Sequence, residues 1–269
     1  MSLQEHLYTQ HTIPDVLERY IDELTAQGGL GDRLHANKLI AYRNMIQDKQ
    51  FLRDTRSLFN GTFDMISKNH PGLQFSIAGR RKALVSSEKK IRQYTELGKS
   101  LDLIRDFFGF RIILFADDSI DVLRHCYMVI EDIIEFAATR GFTPCESLPL
   151  IGATPEPQNE YYESFKYKDF IKDYFCFPKK NGYKSLHLVL VDTKGRHLEI
   201  QIRTLAVHAE VEAGEANHRN YKKNTYNSQE IPLEREKIAI NGYAFVDGHI
   251  FDFAGVEFPI TVFQRQKTF

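Results

Sequence analysis

From Thr12 to Asn69 the apolar residues recur every three or four positions, the spacing of one buried face of an α-helix. Ile13, Val16, Leu17, Tyr20, Ile21 and Leu24 predict a first helix over residues 12–27, capped by Thr12 with Pro14 in its tolerant first turn. Gly28 and Gly29 stop it. Leu39, Tyr42, Ile46, Leu58, Phe59, Met65 and Ile66 continue the period from Leu34 to about Asn69, in two helical pieces that Pro71-Gly72 ends.

At Leu73 the period changes. Leu73 to Ala78 alternates like a strand, with Phe75 and Ile77 on one side, and Gly79 then turns the chain into a polar helix from Ser86 to Leu97. Phe110 to Phe115 reads as a strand, and Ser119 caps a helix reaching about Arg140. Residues 141–160 carry Pro144, Pro149, Pro155 and Pro157 and read as a turn-rich surface excursion. Strands return over Phe170 to Phe177, Ser185 to Val191 and His197 to Arg203, the last two joined by a hairpin turn at 192–195. A helix follows from Leu205 to Lys223, then a polar linker over 224–236. Alternation from Ile238 to Phe263 surrounds the hairpin signal Asp247-Gly248. Helices and strands mix without a regular β-α-β repeat. The prediction is an α+β fold: a mixed β-sheet with flanking helices, a helical N-terminal part (1–72), a central part (73–223) and a small β-like C-terminal extension (224–269).

Composition narrows the function. A formal net charge of -1 leaves no global field to draw nucleic acid to the surface. No apolar run approaches the roughly 20 residues of a membrane span, and the N-terminus lacks a signal-peptide pattern. Cys126, Cys145 and Cys176 are odd in number and far apart, which suits neither a disulfide framework nor a zinc cluster. A reducing, cytoplasmic compartment is the expectation.

Three clusters carry candidate chemistry. Arg80, Arg81, Lys82, Lys89 and Lys90, with the hydroxyl of Ser86, surround the start of the polar helix. An Arg plane can stack on a base and Lys supplies point charge to phosphates, although a solvated basic face has the same composition. In the second cluster Asp106 precedes an apolar strand that contains Arg111. A carboxylate at a strand mouth suits a hard cation such as Mg²⁺, and Arg111 needs a partner, either Asp106 or a triphosphate. In the third, strand parity puts Leu198, Ile200 and Ile202 on one face and His197, Glu199, Gln201 and Arg203 on the other. Leu186, Leu188 and Leu190 likewise oppose Ser185 and His187, while Asn181-Gly182 presents Tyr183 at the strand entrance beside Lys179. Such a polar face lines a cleft or is an exposed sheet surface.

Five segments, GRRKALVSSEKK, IRDFFGFRI, PKKNGYKSLH, LEIQIRT and the stretch from His208 to Lys222, follow one another in the order of a known family. The chain resembles the RelA/SpoT-type (p)ppGpp synthetase domain, and within it the small alarmone synthetases. The resemblance implies a nucleotidyltransferase-like synthetase fold and a pyrophosphokinase that transfers the β,γ-pyrophosphate of ATP to a ribose 3′-hydroxyl, usually that of GDP or GTP. It implies that Arg80 stacks on adenine; that Lys82, Ser86, Lys90 and Arg111 handle the ATP phosphates; and that Asp106 and Glu199 hold Mg²⁺. Tyr183 would stack on the acceptor base, and Lys179, Asn181, His187 and Gln201 would orient the acceptor. Glu199 would help to activate the 3′-hydroxyl. The hydrolase domain of the long family members has a His-Asp pair as its signature. No such pair occurs before Gly79, so synthetase activity alone is expected.

Two features depart from the plain pattern. Lys166, Lys168, Lys172, Lys179, Lys180 and Lys184 interleave with Tyr161, Tyr162, Phe165, Tyr167, Phe170, Tyr174 and Phe175. Basic residues among aromatics can bind a single-stranded RNA end, and strands beside a core give the same composition. The family includes toxic members of toxin-antitoxin systems, so the second reading is a pyrophosphokinase acting on the 3′-CCA end of tRNA or on adenosine nucleotides. The C-terminal extension is the other departure, with covering a sheet edge, binding an antitoxin protein and sensing a ligand all open to it. Small members of the family often form homo-oligomers.

Overall fold

The computed structural model describes residues 13–82, 84–115, 121–147, 160–179 and 182–213, and the backbone of four short strands between 238 and 258. Thr12, Ser119, the 148–159 part of the excursion, Lys180, Asn181, the helix beyond Ala213, the 224–236 linker and the Asp247-Gly248 turn lie outside the described residues.

The N-terminal period forms α1 (Ile13–Gln27), α2 (Leu30–Gln47) and α3 (Lys49–Asn69). Asp48 divides the second stretch because its carboxylate accepts from Gln50 N at 2.9 Å and Phe51 N at 3.0 Å, making it the N-cap of α3. The chain continues through β1 (Gln74–Arg81), α4 (Leu84–Glu96), β2 (Phe108–Phe115), α5 (Val122–Ala138), β3 (Phe142–Pro144), the short α6 (Glu160–Ser164) and β4 (Ile171–Asp173). It closes with β5 (Leu186–Asp192), β6 (His197–Thr204), α7 (Leu205–Ala213), β7 (Ile238–Ile240), β8 (Tyr243–Val246), β9 (His249–Phe251) and β10 (Glu257–Phe258).

The strands build one mixed sheet in the order β10-β9-β8-β7-β1-β2-β6-β5-β3, with β4 also paired to β5. Strands β2 and β6 run parallel; the other pairs are antiparallel. The expected α+β architecture, a mixed sheet with flanking helices, is what the chain adopts. One face of the sheet is apolar: Phe108, Phe110, Ile112, Leu114, Leu186, Leu188, Leu190, Leu198, Ile200 and Ile202 are all buried there. Helix α3 covers part of that face, with Phe51 edge-on to Phe108 at 5.2 Å and Phe59 edge-on to Phe110 at 5.3 Å. Helix α5 contributes the buried Val129, Ile130 and Ile133. Arg196, at the β5–β6 hairpin, pairs with Asp192 and with the capping Asp48 and lies 4.5 Å from the Phe51 ring centroid, tying the hairpin to α3.

Several boundaries differ from the sequence expectation. Gly79 and Arg80 are not in a turn: β1 runs on to Arg81, because both residues pair with β2, Gly79 with Phe110 and Arg80 with Gly109. The strand expected over Phe170 to Phe177 stops at Asp173, whose carboxylate bonds Phe175 N at 2.8 Å and Cys176 N at 2.9 Å and so folds the chain into a turn. Within the expected excursion, 142–144 pairs with β5 as β3. At the C-terminus β7 pairs with β1 and β8 with β9, so the extension adds strands to the sheet.

Candidate active site

The polar face of the sheet is set by register. Arg80, Gly109, Glu199 and Val189 stand opposite one another across β1, β2, β6 and β5. The next row of that face is Ala78, Arg111, Gln201, His187 and, from β4, Lys172. Directly paired residues share a face, so the two rows join side chains far apart in sequence. A small cleft on this face is lined by Asp106, Gly109, Arg111, Glu199 and Gln201. Gly109 makes the close approach possible: a Cβ there would lie 2.3 Å from the carbonyl oxygen of Glu199.

One side of the cleft is a charge cluster. Lys82 follows β1, with its backbone N–H on Phe107 O at 2.8 Å. Its Nζ donates to Asp106 Oδ2 at 2.8 Å, and Lys90 Nζ, from α4, donates to Oδ1 at 2.8 Å. Burial pushes the Asp106 carboxyl up, but the two ammonium groups outweigh it and hold the group below the usual carboxylate range. Asp106 is therefore a carboxylate with both oxygens engaged by cations. Ser86 is half-buried on α4, one turn before Lys90. Arg111 lines the same cleft, and Arg80 stands on β1 in the row of Gly109 and Glu199.

The other side is a hydrogen-bonded chain. Tyr183 Oη meets His187 Nε2 at 2.8 Å, His187 Nδ1 meets Glu199 Oε1 at 3.0 Å, and Gln201 Nε2 donates to Glu199 Oε2 at 2.7 Å. Arg203 donates to Tyr183 Oη at 2.8 Å. Burial lowers the pKa of His187, Glu199 opposing, so the imidazole is neutral at pH 7. One tautomer satisfies the chain: Nδ1–H donates to the Glu199 carboxylate and Nε2 accepts from the phenol. Lys179 Nζ lies 4.6 Å from the ring centroids of both Tyr174 and Tyr183, and burial lowers its pKa. Burial also pushes the Tyr174 phenol up to about 12.

The fold thus brings together Lys82, Lys90, Asp106, Arg111, Glu199 and Gln201, with Tyr183, His187 and Lys179 adjoining through Glu199. The two lysines take the Asp106 carboxylate. Tyr183, expected to stack on the acceptor base, is 7% exposed, with Lys179 and Arg203 close over its ring. Sequence reasoning missed Gly109, Tyr174 and the place of Lys172 on the site face. Gly109 had a signal, a lone glycine inside an apolar strand. Of the Lys-aromatic segment, Phe165 and Tyr174 are buried, and Tyr161, Tyr162, Tyr167 and Phe175 pack on the core. Lys166 pairs with Glu135 at 3.4 Å and lies over the Tyr167 ring.

Among the described residues no group of three or more His, Cys, Asp or Glu could hold a metal ion, and no helix is long and apolar enough to cross a membrane. Two carboxylates lining one cleft still suit a hard divalent cation, which keeps several of its own waters. A cleft lined by an arginine and two carboxylates, with two lysines on one of those carboxylates, is equipped to neutralise phosphates and to accept a proton beside them.

A family model described as the region found in RelA / SpoT proteins matches residues 79–226. A GTP pyrophosphokinase of Photobacterium angustum is 44% identical over 66 residues, which are 24% of this chain and 9% of that protein. A guanosine-3′,5′-bis(diphosphate) 3′-pyrophosphohydrolase of Spiroplasma citri is 31% identical over 151 residues, 56% of this chain and 15% of that protein. The chain therefore spans less than a fifth of either relative's length. Among solved structures, small alarmone synthetase 1 of Bacillus subtilis bound to its product pppGpp matches with a TM-score of 0.43 and 21% identity, over 68% of this chain and 82% of that one.

Proposed function

The chain belongs to the RelA/SpoT family, and from that premise we propose that it is an ATP-dependent pyrophosphokinase whose acceptor is the 3′-hydroxyl of GDP or GTP, making (p)ppGpp. One observation carries the reading: Asp106, held between Lys82 and Lys90, and Glu199, at the end of the Tyr183–His187 chain, line a single cleft. That juxtaposition supports a donor half and an acceptor half meeting at two carboxylates. The GTP pyrophosphokinase name of a relative supports the same substrate class.

In the proposed reaction the acceptor's 3′-oxygen attacks the β-phosphorus of ATP. The bond from that phosphorus to the α,β-bridging oxygen breaks, AMP leaves, and the hydroxyl proton passes to the Glu199 carboxylate. His187 and Gln201 keep that carboxylate oriented, each occupying one of its oxygens. Lys82, Lys90 and Arg111 neutralise the phosphates, with Ser86 contributing a hydroxyl and Arg80 stacking on adenine. Asp106 and Glu199 would hold Mg²⁺, which supplies charge neutralisation on the transferred group when bound. Tyr183 stacks on the acceptor base once Lys179 leaves its ring for the acceptor's phosphates, and Asn181 helps to orient that nucleotide.

The test is a transfer assay with ATP labelled in its γ-phosphate and Mg²⁺, offering GDP, GTP, AMP, ATP and bulk tRNA side by side. Labelled 3′-pyrophosphorylated guanosine nucleotide is the expected product. Label confined to tRNA or to adenosine nucleotides would overturn the acceptor assignment in favour of a toxin-type enzyme, with an antitoxin protein as its expected partner. The packing of the Tyr161–Phe175 rings against the core speaks against an RNA-stacking surface there.

A further inference from the structure

Helix α4 carries Ser86 and Lys90, one turn apart, toward the donor side of the cleft. Its other side, with Leu84, Ser87 and Ile91 buried, faces the N-terminal helices. The joint is not only apolar. Glu88 Oε1 accepts from Tyr20 Oη at 3.2 Å and from Arg92 Nε at 3.1 Å and meets His35 Nε2 at 3.1 Å. Tyr42 Oη, from α2, donates to Ser87 Oγ at 3.2 Å, and Ser87 Oγ reaches the carbonyl oxygen of Lys82 at 3.5 Å. The Tyr42 ring also packs on Phe107 with centroids 4.7 Å apart, and Phe107 is the neighbour of Asp106 and the acceptor of the Lys82 N–H. His35 and Tyr42 are each 1% exposed and Ser87 is fully buried.

Apolar packing alone lets a helix slide or rotate at small cost, whereas buried polar groups must keep their partners. The Tyr42–Ser87 and His35–Glu88 bonds therefore fix the axial position and rotation of α4, and with them the reach of Lys90 to Asp106. We propose that Tyr42, Ser87, His35 and Glu88 are positioning residues for the ATP phosphates, so that α1 and α2, which precede the family-matched region 79–226, are a working part of the donor site. This rests on the pyrophosphokinase reading and deepens it.

The experiment measures KM for ATP and for GTP separately, in wild type and in Tyr42→Phe, Ser87→Ala, Glu88→Ala and Glu88→Gln, with thermal unfolding recorded for each. Tyr42→Phe should raise KM for ATP about 5-fold, the effect of losing one net hydrogen bond, and Glu88→Ala, which removes the acceptor shared by Tyr20, Arg92 and His35, should raise it at least as much, while KM for GTP stays within about 2-fold. Glu88→Gln, which keeps an acceptor oxygen, should restore most of the loss. Tyr42→Phe with Ser87→Ala should be no worse than the poorer single variant. Arg43→Ala, which breaks the 3.5 Å Arg43–Glu18 pair between α1 and α2, is the control and should change neither KM. Hydrogen exchange of residues 84–96 should quicken in Tyr42→Phe even where turnover survives.

Equal rises in both KM values, or unchanged KM for ATP and unchanged exchange in an active enzyme, would overturn this inference alone. A wild-type protein that neither binds ATP nor transfers its phosphates would overturn the pyrophosphokinase reading and this inference with it.

Discussion

The two halves of the cleft are held by different forces. The proposed donor half is a carboxylate, Asp106, between two lysines that come from a loop and from a helix. The proposed acceptor half is a chain of hydrogen bonds from Arg203 through Tyr183 and His187 to Glu199 and Gln201, on and beside the neighbouring strands β5 and β6. Ion pairs whose lysine side chains are 16% and 31% exposed can be exchanged, charge for charge, for pairs with a ligand's phosphates. A buried chain with one consistent set of donors and acceptors is preorganised and loses more from any break. The donor half is thus built to change partners, and the acceptor half to stay as it is.

That contrast sets the order of the expected effects. Glu199→Gln should lower kcat about 10²- to 10⁴-fold, the usual range for a lost general base, with KM for ATP little changed; turnover within a few-fold of wild type would remove Glu199 from proton transfer. Tyr183→Ala should weaken the acceptor by about 5- to 150-fold, the loss of one base-stacking surface, and leave ATP binding by calorimetry intact. Equal losses for both nucleotides would erase the division between halves. Lys90→Met should weaken ATP binding about 10-fold or more, as for a charged hydrogen bond, yet cost little stability because Lys82 still pairs with Asp106. A large fall in Tm would show that the donor ion pairs are structural and not exchangeable.

The smallest effect concerns pH. Burial raises the Glu88 carboxyl, but bonding to His35 and the Arg92 charge outweigh it and bring the group below 4.5. Among the described residues Tyr20 also faces it. A depressed folded-state pKa stabilises the fold above the unfolded value, and that stabilisation is lost as pH falls through the folded value. The Tm difference between wild type and Glu88→Gln should be steady from pH 7 to about pH 5 and then shrink on acidification. A difference that grows toward low pH would contradict the assigned direction.

Much of this was legible in the chain. Parity in LEIQIRT and in the strand of Leu186, Leu188 and Leu190 correctly split the apolar face from the polar face, because a half-buried strand cannot hide its period. What parity cannot supply is register between strands. That Gly109 faces Glu199, or that Lys172 stands opposite His187, depends on pairings that only the folded sheet decides. The shortened β4 was hidden for another reason: Phe170 to Phe177 has strand composition, but the Asp173 side chain captures two backbone N–H groups and breaks the ladder. The joint between α2 and α4 was hidden because Tyr42 and Ser87 look like ordinary core and surface residues until their hydroxyls meet.

The central claim is that the β- and γ-phosphates of ATP travel together to a ribose 3′-hydroxyl. Parallel reactions with ATP labelled at the β- or at the γ-phosphate, each with Mg²⁺ and GTP, test it directly. The account predicts equal labelling of the guanosine product from both donors, with unlabelled AMP released. Label arriving from the γ-position alone would mean single phosphoryl transfer and would contradict it.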